Sequence, residues 1–164
     1  MEFQRQTNQA LDAEHRGTLD LFGRLERVLA QPAAAGAARD PAFAGLAASL
    51  VRHLELDVPH HFDFEEQDLF PLLVEAGDGD LAALLAEEHV TILAIVADVL
   101  PLARAAARGT QDDGGYAALK RATLELADRL ADHIDKETKA LLPALDHVLD
   151  EETDRTLVFA HAAG

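Results

Sequence analysis

Over four long stretches of this chain, apolar residues recur at steps of three and four, the spacing that lays one stripe of an α-helix against a core. The first stretch, from about Gln9 to Ala30, aligns Leu11, His15, Phe22 and Leu29, and stops before Gln31-Pro32 and an Ala/Gly run that reads as a loop. The second opens at Asp40-Pro41, a capping side chain followed by proline at the first helical position, and continues to about Glu75, just before Gly77-Asp78-Gly79. Its inward positions are Leu46, Leu50, Leu54, His61, Glu65 and Leu72, and Pro59 within it predicts a kink or a split. The third, Asp80 to Arg108, turns Leu81, Leu85, His89, Ile92, Val96 and Val99 inward, with a bend expected at Pro101. Gly109 to Gly115 (GTQDDGG) is a loop. The fourth, about Tyr116 to Val148, gives Leu119, Thr123, Leu126, Leu130, His133, Glu137, Ala140 and Ala144, steps typical of a bundle seam. Asp150 to Gly164 reads as a short tail helix without chemistry, and no stretch reads as a strand. Short connections make neighbouring helices antiparallel. The expectation is an all-α protein, an up-down-up-down four-helix bundle with a short C-terminal tail helix, as one domain over residues 1–164.

Composition narrows the partners. Ala and Leu dominate and β-branched and aromatic residues are sparse, which favours helix over strand. With 164 residues, 49% of them hydrophobic, the chain can bury one core. A formal net charge of −16 argues against nucleic acid and anionic membrane as partners. There is no cysteine, so disulfides, thiolate metal sites, iron–sulfur clusters and cysteine nucleophiles are excluded, and a cytoplasmic setting fits. MEFQRQTNQA lacks the apolar run of a signal peptide. The most apolar stretch, Thr91 to Ala107, contains Asp98, Pro101 and Arg104 and falls short of the ~20 residues of a membrane span, so it reads as a buried helix.

Polar residues interrupt the inward stripes in a repeated way. His61-x-x-x-Glu65-x-x-x-Leu69-Phe70-Pro71 matches His133-x-x-x-Glu137-x-x-x-Leu141-Leu142-Pro143 at an offset of 72 residues. Glu14-His15-x-x-x-Leu19 matches Glu88-His89-x-x-x-Leu93 at an offset of 74. The chain is therefore a tandem pair of helical hairpins, each offering a lone histidine on its first helix and a His-x-x-x-Glu on its second.

Residues four apart share a helix face, so His61 projects with Glu65 and His133 with Glu137. At about 1.5 Å per residue, helix lengths on either side of each turn put all six residues within roughly 2–8 Å of one level. A buried carboxylate without a partner costs several kcal/mol, and no Lys or Arg lies nearby on the inward stripes. A cation answers the problem most simply, with His15, His61, Glu65, His89, His133 and Glu137 as metal ligands. Four imidazoles and two carboxylates suit iron, manganese or zinc and are poor for calcium or magnesium. Two glutamates able to bridge favour a pair of metals, and iron leads.

The pattern of a lone His, HFDFEEQDLFP, a second lone His and HIDKETKALLP resembles the hemerythrin-like, or HHE cation-binding, domain over roughly Ala10 to Leu149. That resemblance implies two iron ions joined by an oxo or hydroxo bridge, with Glu65 and Glu137 as bridging carboxylates and the four histidines as terminal ligands. Oxygen-carrying members place a second histidine four residues after the one on the third helix; here that position is Leu93, which puts reversible oxygen carriage in doubt. The expected function is binding or sensing of oxygen, nitric oxide or peroxide, or iron handling. The alternative is a di-iron redox enzyme: a peroxidase, a nitric oxide reductase or an iron-centre repair factor. His53 and His60 share a side face of the second helix, His147 and His161 read as surface residues, and Glu14, Glu66, Glu87 and Glu88 as solvated or as orienting a ligand histidine. The LFP and LLP segments read as packing, and Tyr116 as remote from the site.

Overall fold

In a computed structural model, residues 3–30 and 40–163 are described. Among them there is no strand, and the chain is all-α. Helix α1 is Gln6–Leu29, α2 covers residues 41–76, α3 is Gly79–Ala107, α4 covers residues 113–148 and α5 is Glu151–Ala163. The expected loop at Gln31-Pro32 lies outside the described residues.

The helix ends follow local chemistry. The Asp40 carboxylate accepts the Ala42 N–H at 2.9 Å, with Pro41 in the first turn of α2. That helix closes on Gly77 at φ 98°, where the Asp78 N–H reaches back to the Leu73 carbonyl at 2.8 Å. α3 closes the same way on Gly109 at φ 64°, with the Thr110 N–H on the Ala105 carbonyl at 3.0 Å. α4 begins at Asp113, inside the stretch expected to be loop, because the Asp112 side chain caps it through the Gly115 N–H at 2.7 Å. Asp150 caps α5 through the N–H groups of Glu152 and Thr153.

Pro59 neither breaks nor splits α2. The helix widens instead to a π turn over His53–Asp57, and π turns recur at Glu65–Leu69 and Glu137–Leu141. Each begins six residues before a proline: His53 before Pro59, Glu65 before Pro71, Glu137 before Pro143. A proline has no N–H for the carbonyl four residues back, and its ring crowds that carbonyl. In the wider turn the residue just before the proline donates to the carbonyl five back: Val58 to His53, Phe70 to Glu65, Leu142 to Glu137. α3 passes through Pro101 without such a turn. Beyond the first bulge His61 and Glu65 are buried as expected, and beyond the second and third the extra residue shifts the register by one. Leu73 is buried where Leu72 was expected, and Leu141, Leu142 and Leu145 where Ala140 and Ala144 were.

The described residues fall into two compact units. One comprises those within Met1–Gly17, Pro59–Val90 and Asp132–Gly164, and its core joins Leu11, Phe64, Leu69, Leu73, Leu85, Leu141 and Leu145. The other comprises those within Thr18–Val58 and Thr91–Ala131 and buries Phe22, Leu25, Leu50, Ile92, Val99, Leu119 and Leu126. In this second unit Tyr116 packs on Phe43, and His53 bridges the Thr18 hydroxyl at 3.1 Å and the Asp57 carboxylate at 3.0 Å. α3, with 29 residues, is long and apolar enough by length and composition to cross a membrane, which overtakes the expectation from the shorter Thr91–Ala107 stretch. It buries Leu85 and His89 in the first unit and Ile92, Val96 and Val99 in the second.

Candidate metal centre

All six predicted residues lie in the first unit, and all six are buried. α1 supplies His15, α2 His61 and Glu65, α3 His89, and α4 His133 and Glu137. Both glutamates are the first residues of π turns, so the prolines Pro71 and Pro143, read from the sequence as packing, also shape the backbone at the two carboxylates.

The side chains form two groups of four. One is His15, His61, Glu65 and Glu137; the other is Glu65, His89, His133 and Glu137; in each, the ligand atoms lie within 4.8 Å of one another. Atoms bound to one cation at about 2.0–2.2 Å are at most ~4.4 Å apart, so each group is close to the size that one ion gathers. Both glutamates belong to both groups. Glu65 reaches His61 Nε2 at 3.4 Å through one oxygen and His89 Nε2 at 3.3 Å through the other. Glu137 divides likewise, with Oε2 at 3.1 Å from His15 Nε2 and Oε1 at 2.9 Å from His133 Nε2.

An outer ring of carboxylates fixes the tautomers. His61 Nδ1–H donates to Glu14 at 2.6 Å, His89 Nδ1–H to Glu66 at 2.8 Å, and His133 Nδ1–H to Glu88 at 2.9 Å. In a neutral imidazole so held, Nε2 carries a bare lone pair. His89 Nε2 and His133 Nε2 face each other at 3.1 Å, and His15 Nε2 and His61 Nε2 at 3.2 Å. Between His89 and His133, both with Nδ1–H held by a carboxylate, two neutral rings would set lone pair against lone pair, and that distance needs a proton or a metal between them. The oxygens of Glu65 and Glu137 are buried, and none of them makes a hydrogen bond. Several such groups unsatisfied in one core would cost several kcal/mol.

The electrostatics agree. Burial, and then the facing charge of Glu137, pushes the Glu65 carboxyl well above the usual carboxylate range. Burial would raise Glu137 too, but His133, His15 and His89 outweigh it and hold that carboxyl well below the range. Burial lowers the pKa of His61; at His133 it is outweighed by Glu137 and Glu88, and that pKa is raised. Glu14 is lowered to about 2, because its bonds to His161 and His61 outweigh its burial. This donor set of inward lone pairs and unsatisfied carboxylate oxygens fits metal cations.

Three of the outer glutamates named from the sequence, Glu14, Glu66 and Glu88, thus orient His61, His89 and His133. His161 departs from expectation. It is 8% exposed, not a surface residue, and its Nε2–H donates to Glu14 at 2.6 Å. Its distance of 147 residues from Glu14 hid this from any local pattern. His60 donates to the His161 carbonyl at 3.1 Å, and His147 is exposed. Phe62 and Phe70 stack on the His89 ring, with centroids at 3.7 and 5.6 Å. Leu93 is 39% exposed and contributes no ligand atom.

No curated protein matches the chain. Residues 6–145 match the family described as the Hemerythrin HHE cation binding domain, an interval that holds every member of the two groups of four. The chain belongs to the hemerythrin HHE cation-binding domain family.

Proposed function

We propose that this is a non-haem di-iron binding protein that binds or senses oxygen, nitric oxide or peroxide, or handles iron. The observation that carries the reading is the sharing of Glu65 and Glu137 between two imidazole pairs, the donor arrangement of a carboxylate-bridged pair of ions. His15 and His61 would hold one iron and His89 and His133 the other, with Glu65 and Glu137 across both. Iron is preferred to zinc or manganese for the mixed nitrogen and oxygen set of a family whose members carry di-iron. A bound di-iron pair supplies one- and two-electron redox chemistry toward small oxygen and nitrogen species.

The chain's own residues prepare the site for this. Glu14, Glu66 and Glu88 take the Nδ1 protons and leave Nε2 of three histidines free to bind. Phe62 and Phe70 cover the His89 ring and keep water from it. Leu93 stands where oxygen carriers of this family have another histidine, so sensing, redox turnover or iron handling is favoured over reversible carriage. That missing imidazole also supports the second reading, a redox enzyme acting as peroxidase, nitric oxide reductase or iron-centre repair factor. The same reading makes the four long helices one up-down-up-down bundle domain, supported by the internal repeat and the short turns at residues 77–78 and 108–112. A cysteine-free, strongly acidic chain suits the cytoplasm, with a small diatomic or peroxide ligand as the partner.

Metal quantitation with an optical spectrum tests the proposal. Two irons per chain with near-ultraviolet absorption in the oxidised protein are expected, and zinc alone would defeat it. Stopped-flow mixing of the reduced protein with oxygen, peroxide or nitric oxide separates the readings. A spectral change that reverses on removing the gas supports binding, and turnover well above that of free iron supports the enzyme.

A further inference from the structure

The two halves of the repeat complete their outer rings differently. In the second, Glu88 accepts His133 Nδ1–H with one oxygen and the Lys136 ammonium at 2.7 Å with the other. Lys136 follows His133 by three residues, so a single helix supplies both donors. In the first half Glu14 stands at the position of Glu88 and likewise accepts two donors, His61 Nδ1–H and a second one. The repeat equivalent of Lys136 is Phe64, which cannot donate. The second donor is instead His161, from α5. Its ring stacks on Phe64 at 4.1 Å between centroids and on His60 at 4.6 Å. The side chain that replaces the lysine thus forms a seat for the histidine that takes over the lysine's role.

α5 is held in register for this task. The Asp154 carboxylate accepts the N–H groups of Gln6 and Thr7, both at 2.9 Å, and so caps the first turn of α1. Thr7 to Glu14 and Asp154 to His161 are both steps of seven residues, two helical turns. The pairs Thr7–Asp154 and Glu14–His161 have the same sequence separation, 147, so α5 lies parallel to the start of α1, fastened two turns apart. This helix lies beyond residue 145, where the match to the family ends.

We propose that His161 is a positioning residue for the metal centre: it fixes the Glu14 carboxylate, which aims His61 Nε2 at the ion shared with His15, so that α5 completes one half of the site. The inference rests on the di-iron reading. It predicts that affinity for one iron of the two depends on the C-terminal helix, while the iron held by His89 and His133 does not.

Anaerobic titration of metal-free, full-length protein with ferrous iron tests this, with bound iron measured by equilibrium dialysis. His161→Phe keeps a ring on Phe64 and removes the donor. It should leave one iron at wild-type affinity and weaken the other by about tenfold or more, within the range for outer partners of a ligand histidine. His161→Gln, which retains a donor, should restore much of the loss. A His161→Phe variant that binds both irons like wild type overturns the proposal, as does equal weakening of both. If His161→Phe fails to show a helical melt, Phe64→Lys combined with His161→Ala decides instead. That variant rebuilds the arrangement of Lys136, so two irons at wild-type affinity support the inference and one iron overturns it. A wild type that binds fewer than two irons defeats the di-iron reading itself, a result distinct from these.

Discussion

The half of the site built from His15 and His61 and the half built from His89 and His133 share an inner ring and differ in the outer one. Inside, each half offers two imidazoles to the same two glutamates. Outside, both imidazoles of the second half have a carboxylate on Nδ1, Glu66 for His89 and Glu88 for His133. In the first half only His61 has one, Glu14, and the Nδ1 of His15 is buried without a partner. The sequence gives the reason. The repeat equivalent of Glu66 is Thr138, so no glutamate stands at the position that would serve His15. Chemistry constrains atoms that face a shared ion to be alike, whereas the groups that orient them need only provide an acceptor or a donor from any direction. The outer ring is therefore where two copies of one hairpin have diverged.

The strongest way to break the comparison is to remove what the halves share. Glu65→Ala or Glu137→Ala is expected to bring bound iron from two per chain toward none, whereas His61→Ala or His89→Ala should remove chiefly one; metal analysis of protein purified in parallel distinguishes them. If the bridging and single-half variants lose iron equally, the division into halves fails. Next in size is the outer ring. Glu88→Ala and Glu14→Ala should each weaken one iron by about 10–100-fold and spare the other, read by ferrous titration. Thr138→Glu sharpens the contrast in the opposite direction. It gives His15 the counterpart of the carboxylate that Glu66 provides for His89, and should tighten the iron held by His15 and His61 by up to about tenfold, the lower end of such effects.

The smallest effect concerns the fastening of α5. Burial would raise the Asp154 carboxyl, but the N–H groups of Thr7 and Gln6 outweigh it and hold its pKa below the ordinary 3.8. A lowered carboxyl pKa stabilises the folded protein at pH values above the ordinary value, and that contribution is lost as pH falls through the folded-state value. Asp154→Ala should cost about 1 kcal/mol as a lost cap, roughly 2–4 °C in Tm for a chain of this size. The difference from wild type, followed by circular dichroism on metal-free protein, should hold at pH 6 and shrink below about pH 4. A difference independent of pH would show that the charge of Asp154 does not matter.

Much of this was legible without coordinates. Periodicity located the helices, because a helix must bury a continuous stripe and polar residues at i and i+4 on that stripe share one face. The burial of the six inward residues followed too, since His and Glu fall on the apolar stripes and repeat at offsets of 72 and 74. Three features needed the tertiary structure. The π turns before Pro71 and Pro143 moved the buried register by one residue, a response of the backbone to a missing N–H that a fixed period of 3.6 does not contain. The assignment of Glu14, Glu66 and Glu88 to individual histidines depended on which helices are neighbours. His161 was the least visible: a histidine near the end of an unpatterned tail acquires its role only when chain folding brings it beside Glu14, and contacts between residues far apart in sequence leave no periodic trace in it.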